Sequence, residues 1–386
     1  MKRSFPLIVL GTVIVFFATT GFQCGSAEVT SAKLYIQQKQ WDKAEQSLVK
    51  ELAKNDKNEE AWFLLGQVRN EVRNYIGMND AFTRALQINE THKVDIQRYR
   101  LSTWAQLYND GVTAYNKGRD SSAMYDKAIE DFNTAIALVP DSANTYYVVA
   151  LVHFAKKDNP KTIDMLNKAL ERNPSYLDAA LFLAQLHYNE GLASLATKDS
   201  TAATASFIKA GNAFELAYKA NPGKSEAIIG LIDVYERLKQ PEKAMSLTVE
   251  AVQRDPNNTL YRYAYGVFLL KQDDFAKSIE QFSKAVELDP TYTDATYNLG
   301  VAYLNWGVSM KVEAEKAAEK AGKGAVEDKS YQEKFKLAIP HLEKAAEQRA
   351  DDPVLWQQLG RIFANLNMQE KSKAAFEKYD QIMKNK

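Results

Sequence analysis

The chain has 386 residues, with 49 basic and 49 acidic side chains, so its formal charge is zero; this argues against a protein built mainly to grip nucleic acid, which needs a basic face. Hydrophobic residues at 46% and charged residues at 25% exclude disorder over the whole length. One cysteine excludes an intrachain disulfide and a cysteine-built zinc site, and four histidines exclude a histidine-rich metal centre.

Residues 1–24 are the first element. Met1-Lys2-Arg3 is basic, and no residue from Phe5 to Phe22 is charged. An apolar helix of this kind partitions into a bilayer while Lys2 and Arg3 stay on the cytoplasmic side, which reads as an export signal. Its length is near the lower limit for spanning a membrane, so a retained anchor stays open. Cys24 follows at once. A lone cysteine there resembles the lipid-modified cysteine of bacterial lipoproteins, and the resemblance implies that Cys24 becomes an acylated N-terminus. Gln23 departs from the small residue which that family places before its cysteine. Cleavage by ordinary signal peptidase after Ala27 is the third option. All three place the body outside the cytoplasm, in the periplasm or at the outer membrane, and two of them hold it to a membrane by a lipid or an anchor.

Residues 25–386 read as one continuous repeat array. Pro140 and Pro174 are 34 residues apart, and so are Pro222, Pro256 and Pro290 in turn. Ala217, Ala251 and Ala285 keep the same step, as do Gly266 and Gly300. Between Pro256 and Pro290 an apolar run, a Gln272-Asp273-Asp274 break and the segment FAKSIEQFSKAVELDP give helix, turn, helix and proline stop. Nine such repeats begin near Gly25, Glu59, Lys93, Ala143, Leu177, Ser225, Thr259, Thr293 and Pro353. Three are too long, over 93–142, 177–224 and 293–352. Each carries a tetrad ending in Gly111, Gly191 or Gly307, after which the helical pattern continues. These are expected to be taller helix pairs that project from one edge, with Gly322-Lys323-Gly324 as a turn and Pro340 inside a helix.

A 34-residue helix–turn–helix unit with these residues resembles the tetratricopeptide repeat (TPR). Trp62, Leu65, Gly66, Phe82 and Ala85 fit one unit; Gly266, Phe275, Phe282, Ala285 and Pro290 fit another; Leu299, Gly300 and Tyr303 open the next; Trp356, Leu359, Gly360, Phe363 and Phe376 fit the last. The expected fold is all-α, a right-handed superhelical solenoid of about nine units, three of them elongated. Small residues are expected where helices approach, with Phe82, Phe132, Phe214, Phe282 and Phe376 filling the space between them. Stacked repeats bury one shared core.

The chemistry of catalysis is sparse. No phosphate-binding glycine loop, HExxH zinc motif or GxSxG elbow occurs, so the chain reads as a non-enzyme with no cofactor and no metal. His153 and His187 occupy equivalent first-helix positions and read as packing residues, in place of Tyr235 or Tyr303 in sibling repeats. In the resembled family the first helices line a concave surface that binds protein or peptide partners, and positions 2, 5, 9, 12 and 13 face the partner. Here that stripe is apolar and rich in tyrosine: Tyr147 and Leu151 in the fourth repeat, Tyr263, Val267 and Leu270 in the seventh, and Tyr297, Val301 and Leu304 in the eighth. It suits an amphipathic helix or an extended apolar peptide; burial of the same stripe in the array is the competing expectation. The reading is an envelope-located scaffold that aids assembly of a membrane-associated complex. The alternative is an accessory envelope protein with a glycan or small-molecule site.

Overall fold

The computed structural model describes residues 26–321 and 328–384. Cys24 and the Gly322–Gly324 turn lie outside the described residues. Among those described there are eighteen α-helices and no strand. They form nine helix–turn–helix pairs: α1 (Ala27–Gln37) with α2 (Trp41–Lys54), α3 (Glu59–Glu71) with α4 (Tyr75–Ile88), α5 (Lys93–Lys117) with α6 (Ser122–Leu138), α7 (Ala143–Ala155) with α8 (Asn159–Arg172), α9 (Leu177–Ala196) with α10 (Ser200–Ala220), α11 (Ser225–Arg237) with α12 (Pro241–Arg254), α13 (Thr259–Lys271) with α14 (Phe275–Leu288), α15 (Thr293–Ala321) with α16 (Tyr331–Gln348), and α17 (Pro353–Asn365) with α18 (Gln369–Lys384). The all-α class expected from the 34-residue phase is the class observed.

One turn is reused within the pairs. Lys39, Arg73, Lys157, Lys198, Lys239, Asp273 and Asn367 all have a positive φ near 60°. The residue after each donates its N–H to the carbonyl five residues back, as in Asn74 to Arg69 at 2.8 Å and Asp274 to Leu269 at 2.9 Å. This left-handed stop satisfies the last carbonyls of the first helix. Five of the seven residues are Lys or Arg, whose charge suits the negative end of the helix dipole. The turn therefore needs no glycine.

Six of the nine pairs close on a glycine and an aromatic ring. A Cβ on Gly66 would lie 2.3 Å from Cε1 of Phe82, and one on Gly266 would lie 2.7 Å from Phe282. Both rings are fully buried. The elongated pairs use Gly111 with Phe132, Gly191 with Phe207, and Gly307 with Phe335. Phe207 and Phe335 were not among the expected rings, although the tetrad glycines marked their partners. Phe214 packs instead on Gly230 of the next pair, and Gly300 faces Leu342 rather than a ring.

The helices gather into two compact units, residues 1–162 and 163–386, where the sequence reads as one continuous array. Each repeat packs only on its neighbours, so the repeat phase does not reveal where the contact network divides.

In the first unit α5 has 25 residues, against 13 in α3 and in α7. Its first half is held by α3: Gln67 donates to the Tyr99 hydroxyl at 3.2 Å and Thr103 to Asn70 Oδ1 at 3.0 Å. From Trp104 onward it meets α7: Trp104 donates to Thr145 Oγ1 at 3.0 Å, and Asn144 to the Tyr108 hydroxyl at 2.8 Å. The extra length is therefore not a projecting fin, as the sequence reading has it. It offsets successive first helices by about 18 Å, since the twelve extra residues rise about 1.5 Å each. The apolar pattern explains why: Ile96, Leu107 and Ala114 are buried along the whole helix, and both halves need cover.

In the second unit α15 runs for 29 residues, and Met310 and Ala314, beyond Gly307, pack on the core that contains Tyr331 and Phe335. Pro340 lies inside α16, where its ring costs the Lys336 carbonyl an N–H partner. Pro340 and Lys336 are both exposed. Among the described residues no helix is long and apolar enough to cross a membrane.

Candidate functional site

Six of the eight residues of the expected stripe lie on α13 and α15. Asn258 caps α13, accepting from the N–H groups of Leu260 and Tyr261 at 3.1 and 3.3 Å. From this start the helical period turns Tyr261 into the core, 2% exposed. It places Tyr263, Val267 and Leu270 along one flank at steps of four and three. Tyr297, Val301 and Leu304 repeat the spacing on α15. All six are half-buried.

Their contacts lie along the seam between successive first helices. The Tyr263 ring is 5.9 Å from Phe282 and 5.1 Å from Tyr292, and its hydroxyl accepts from Asn298 Nδ2 at 3.1 Å. The Tyr297 ring lies 5.6 Å from the Arg349 guanidinium, and its hydroxyl hydrogen-bonds the Gln358 side chain. Burial raises the pKa of both hydroxyls. Burial, with Tyr263 alongside, pushes Tyr292 up to about 12, so it stays a neutral donor at any ordinary pH. Val267 and Leu270 pack on Phe282, Leu299 and Ala302; Val301 and Leu304 pack on the core that holds Leu342 and Leu359. The stripe is neither an open groove nor a closed core. One side of each residue joins two repeats and the other meets solvent.

Tyr263 lies in the seam between α13 and α15 and Tyr297 in the next one, between α15 and α17; Asn298, the partner of Tyr263, is the neighbour of Tyr297 on α15. Tyr147 and Leu151 are half-buried on α7, in the first compact unit. More exposed apolar side chains occur at the second position of the first helices. Leu260, 45% exposed, is three residues before Tyr263 and extends its flank; Val354 holds the same second position in α17 and is also exposed. The sequence contained this signal, since the second position was recognised as facing partners, but Leu260 was not singled out.

The histidines are absorbed in packing. His92 stacks on Phe63 at 3.9 Å and bonds the Glu59 carboxylate, with Nδ1 2.8 Å from Oε1. His187 Nδ1 is 2.8 Å from Glu190 Oε2, and His153 Nδ1 is 4.0 Å from Asp158. His341 stacks on Tyr303, and burial lowers its pKa. Among the described residues no group of three or more histidine, cysteine or acidic side chains is placed to hold a metal.

Comparison with known proteins places repeats of one kind on this framework. Residues 269–307 match the family model described as TPR repeat, and residues 354–382 the model described as Tetratricopeptide repeat. Superkiller complex protein 3 of Homo sapiens is 22% identical over 219 residues, covering 47% of this chain and 14% of that protein. The TPR repeat-containing protein YpiA of Bacillus subtilis is 25% identical over 276 residues, covering 61% of this chain and 62% of its own length. The chain thus spans less than two thirds of the curated relatives it matches. The crystal structure of YrrB, described as a TPR protein with an unusual peptide-binding site, is 23% identical, with a TM-score of 0.38, over 58% of this chain and 95% of that one. Residues 269–307, from the end of α13 to the lock glycine of α15, and residues 354–382, in α17 and α18, are tetratricopeptide repeats.

Proposed function

We propose that the chain is an envelope-located scaffold that binds protein segments along the first helices of its repeats and aids assembly of a membrane-associated complex. The observation that carries this reading is the half-open stripe of Leu260, Tyr263, Val267 and Leu270, continued by Tyr297 and Val301 on the next first helix. Two helical flanks side by side, apolar with hydroxyl edges, match an amphipathic helix that offers its own apolar face. Tyrosine supplies contact area with only two torsions to freeze. The relatives support the reading as repeat proteins; YrrB is described as having a peptide-binding site.

Leu260→Asp tests the stripe, because Leu260 is exposed and its replacement leaves the seam intact. The expected result is loss of partner recovery by about tenfold or more, equal to about 1.4 kcal/mol, with an unchanged melting temperature. Unchanged recovery in cross-linked membranes overturns the stripe as the contact face.

Location is part of the same proposal. The basic start, the uncharged run from Phe5 to Phe22 and the adjacent Cys24 support export and lipid attachment. Stable attachment takes two or more acyl chains. Cys24→Ser is expected to leave an uncleaved precursor or to release the body from membranes. A variant that fractionates and migrates like the parent rules out the lipid and favours a plain anchor or an ordinary signal.

A further inference from the structure

The sideways step in the first unit leaves something unpartnered. Beyond the turn that joins α3 to α4, the second half of α5 and the first half of α6 are covered by α7 on one side only. The other side is a cleft of about 540 Å³. Leu107 and Ala114 of α5 form its apolar floor, both nearly fully buried, with Met124 and the half-exposed Ile76 as walls.

The cleft is also lined by Asp131, which is only 5% exposed. A carboxylate buried to that degree costs stability unless it is well paired. Its Oδ1 takes the Lys127 ammonium at 2.7 Å, but Lys127 is half-exposed and also reaches Glu130 at 3.5 Å. Nothing in the repeat architecture calls for the charge. Asp131 directly precedes the locking ring Phe132; the residue in that place is Ala81 before Phe82, Gln281 before Phe282 and Ala375 before Phe376. Sibling repeats place neutral or basic side chains there, Lys334 before Phe335 included, so the fold does not need an acid at this junction.

We propose that this cleft receives a basic side chain, arginine or lysine, from a binding partner. Its methylene stem lies along Leu107, Ala114 and Met124, and its cationic head meets the Asp131 carboxylate at Oδ2, the oxygen that Lys127 does not take. Stems of this kind pack well on apolar surface while the head pairs in a charge-assisted hydrogen bond. Arg73 and Lys117 stand exposed at the mouth with Asp110. The two cations select a basic residue that carries a carboxylate close by, so that the segment is recognised as a charge pair and not as a bare cation. This site is in the first compact unit and is independent of the stripe on α13 and α15.

The probe is N-acetyl-arginine, which has a guanidinium and a carboxylate, titrated into the full methyl-labelled chain in mild detergent. The expected result is saturable movement of the Ile76 and Met124 methyl signals, with N-acetyl-citrulline at least tenfold weaker and N-acetyl-arginine amide a few-fold weaker. Asp131→Asn should weaken binding at least tenfold while circular dichroism stays unchanged. Lys127→Met should strengthen it, since the competing cation is gone. Equal binding of arginine and citrulline, absence of saturable shifts, or unchanged affinity in Asp131→Asn overturns the proposal. Should Asp131→Asn fail to fold, Lys127→Met decides: affinity that does not rise is the negative result. Leu260→Asp should bind the probe like the parent, so this proposal and the stripe fail separately.

Discussion

Phe282→Ala is expected to destabilise the second compact unit by about 3–5 kcal/mol, the cost of emptying a fully buried aromatic site. Phe282 is 0% exposed and fills the angle between α13 and α14, where Gly266 leaves room for it. The sharper test of this lock is Gly266→Ala. Helix propensity alone favours alanine by about 1 kcal/mol. Against this, the new Cβ would sit 2.7 Å from two ring carbons of Phe282, a contact that needs the ring or a helix to move. Overpacking of that kind costs about 1–3 kcal/mol, so the net sign is destabilising. Phe282→Leu in the same chain should recover part of the loss, because the smaller side chain makes room. Urea unfolding followed by circular dichroism measures all three. A Gly266→Ala chain more stable than the parent would mean that the glycine is not required by packing.

Tyr263→Ala together with Tyr297→Ala is expected to lower stability by about 3 kcal/mol in total. A half-buried ring forfeits roughly half the cost of a fully buried one. Each loss also removes a hydroxyl bond, to Asn298 in one case and Gln358 in the other. The two effects should not add fully, since Asn298, the partner of Tyr263, is next to Tyr297 on α15. Tyr263→Phe isolates the hydroxyl and should cost about 1 kcal/mol. A double variant that melts like the parent, with partner binding lost, would restore the tyrosines to a purely exposed groove. The contrast with Leu260→Asp is the useful one: the seam residue moves stability, and the exposed residue moves recognition.

The histidines and the glycine–aromatic locks mark where sequence reasoning reached and where it stopped. Periodicity is a local, one-dimensional property. A 34-residue step in Pro, Ala and Gly fixes helix, turn and helix in each repeat, and the first helices begin at Glu59, Lys93, Ala143, Leu177, Ser225, Thr259, Thr293 and Pro353. The turn chemistry was less legible, because lysine in the left-handed region carries no residue-specific signature of the kind glycine gives. Of the candidate site, the chain disclosed which residues share a flank, since that follows from 3.6 residues per turn. It did not disclose how deep the flank lies.

What the sequence determined by itself is therefore the class of the fold, the number of pairs and the lengths of the long ones. Tertiary structure alone decided the rest. Whether twelve extra residues project as a fin or step the stack depends on which part of α5 meets α3 and which meets α7, and buried apolar residues run along the whole helix. Whether Tyr263 is groove or core depends on Tyr292, Asn298 and Phe282 arriving from two other helices. The burial of Asp131 depends in the same way on a cleft lined by residues from Arg73 to Thr134. In each case a local pattern admits several neighbours with similar apolar area, and only the side-chain packing between helices selects one of them.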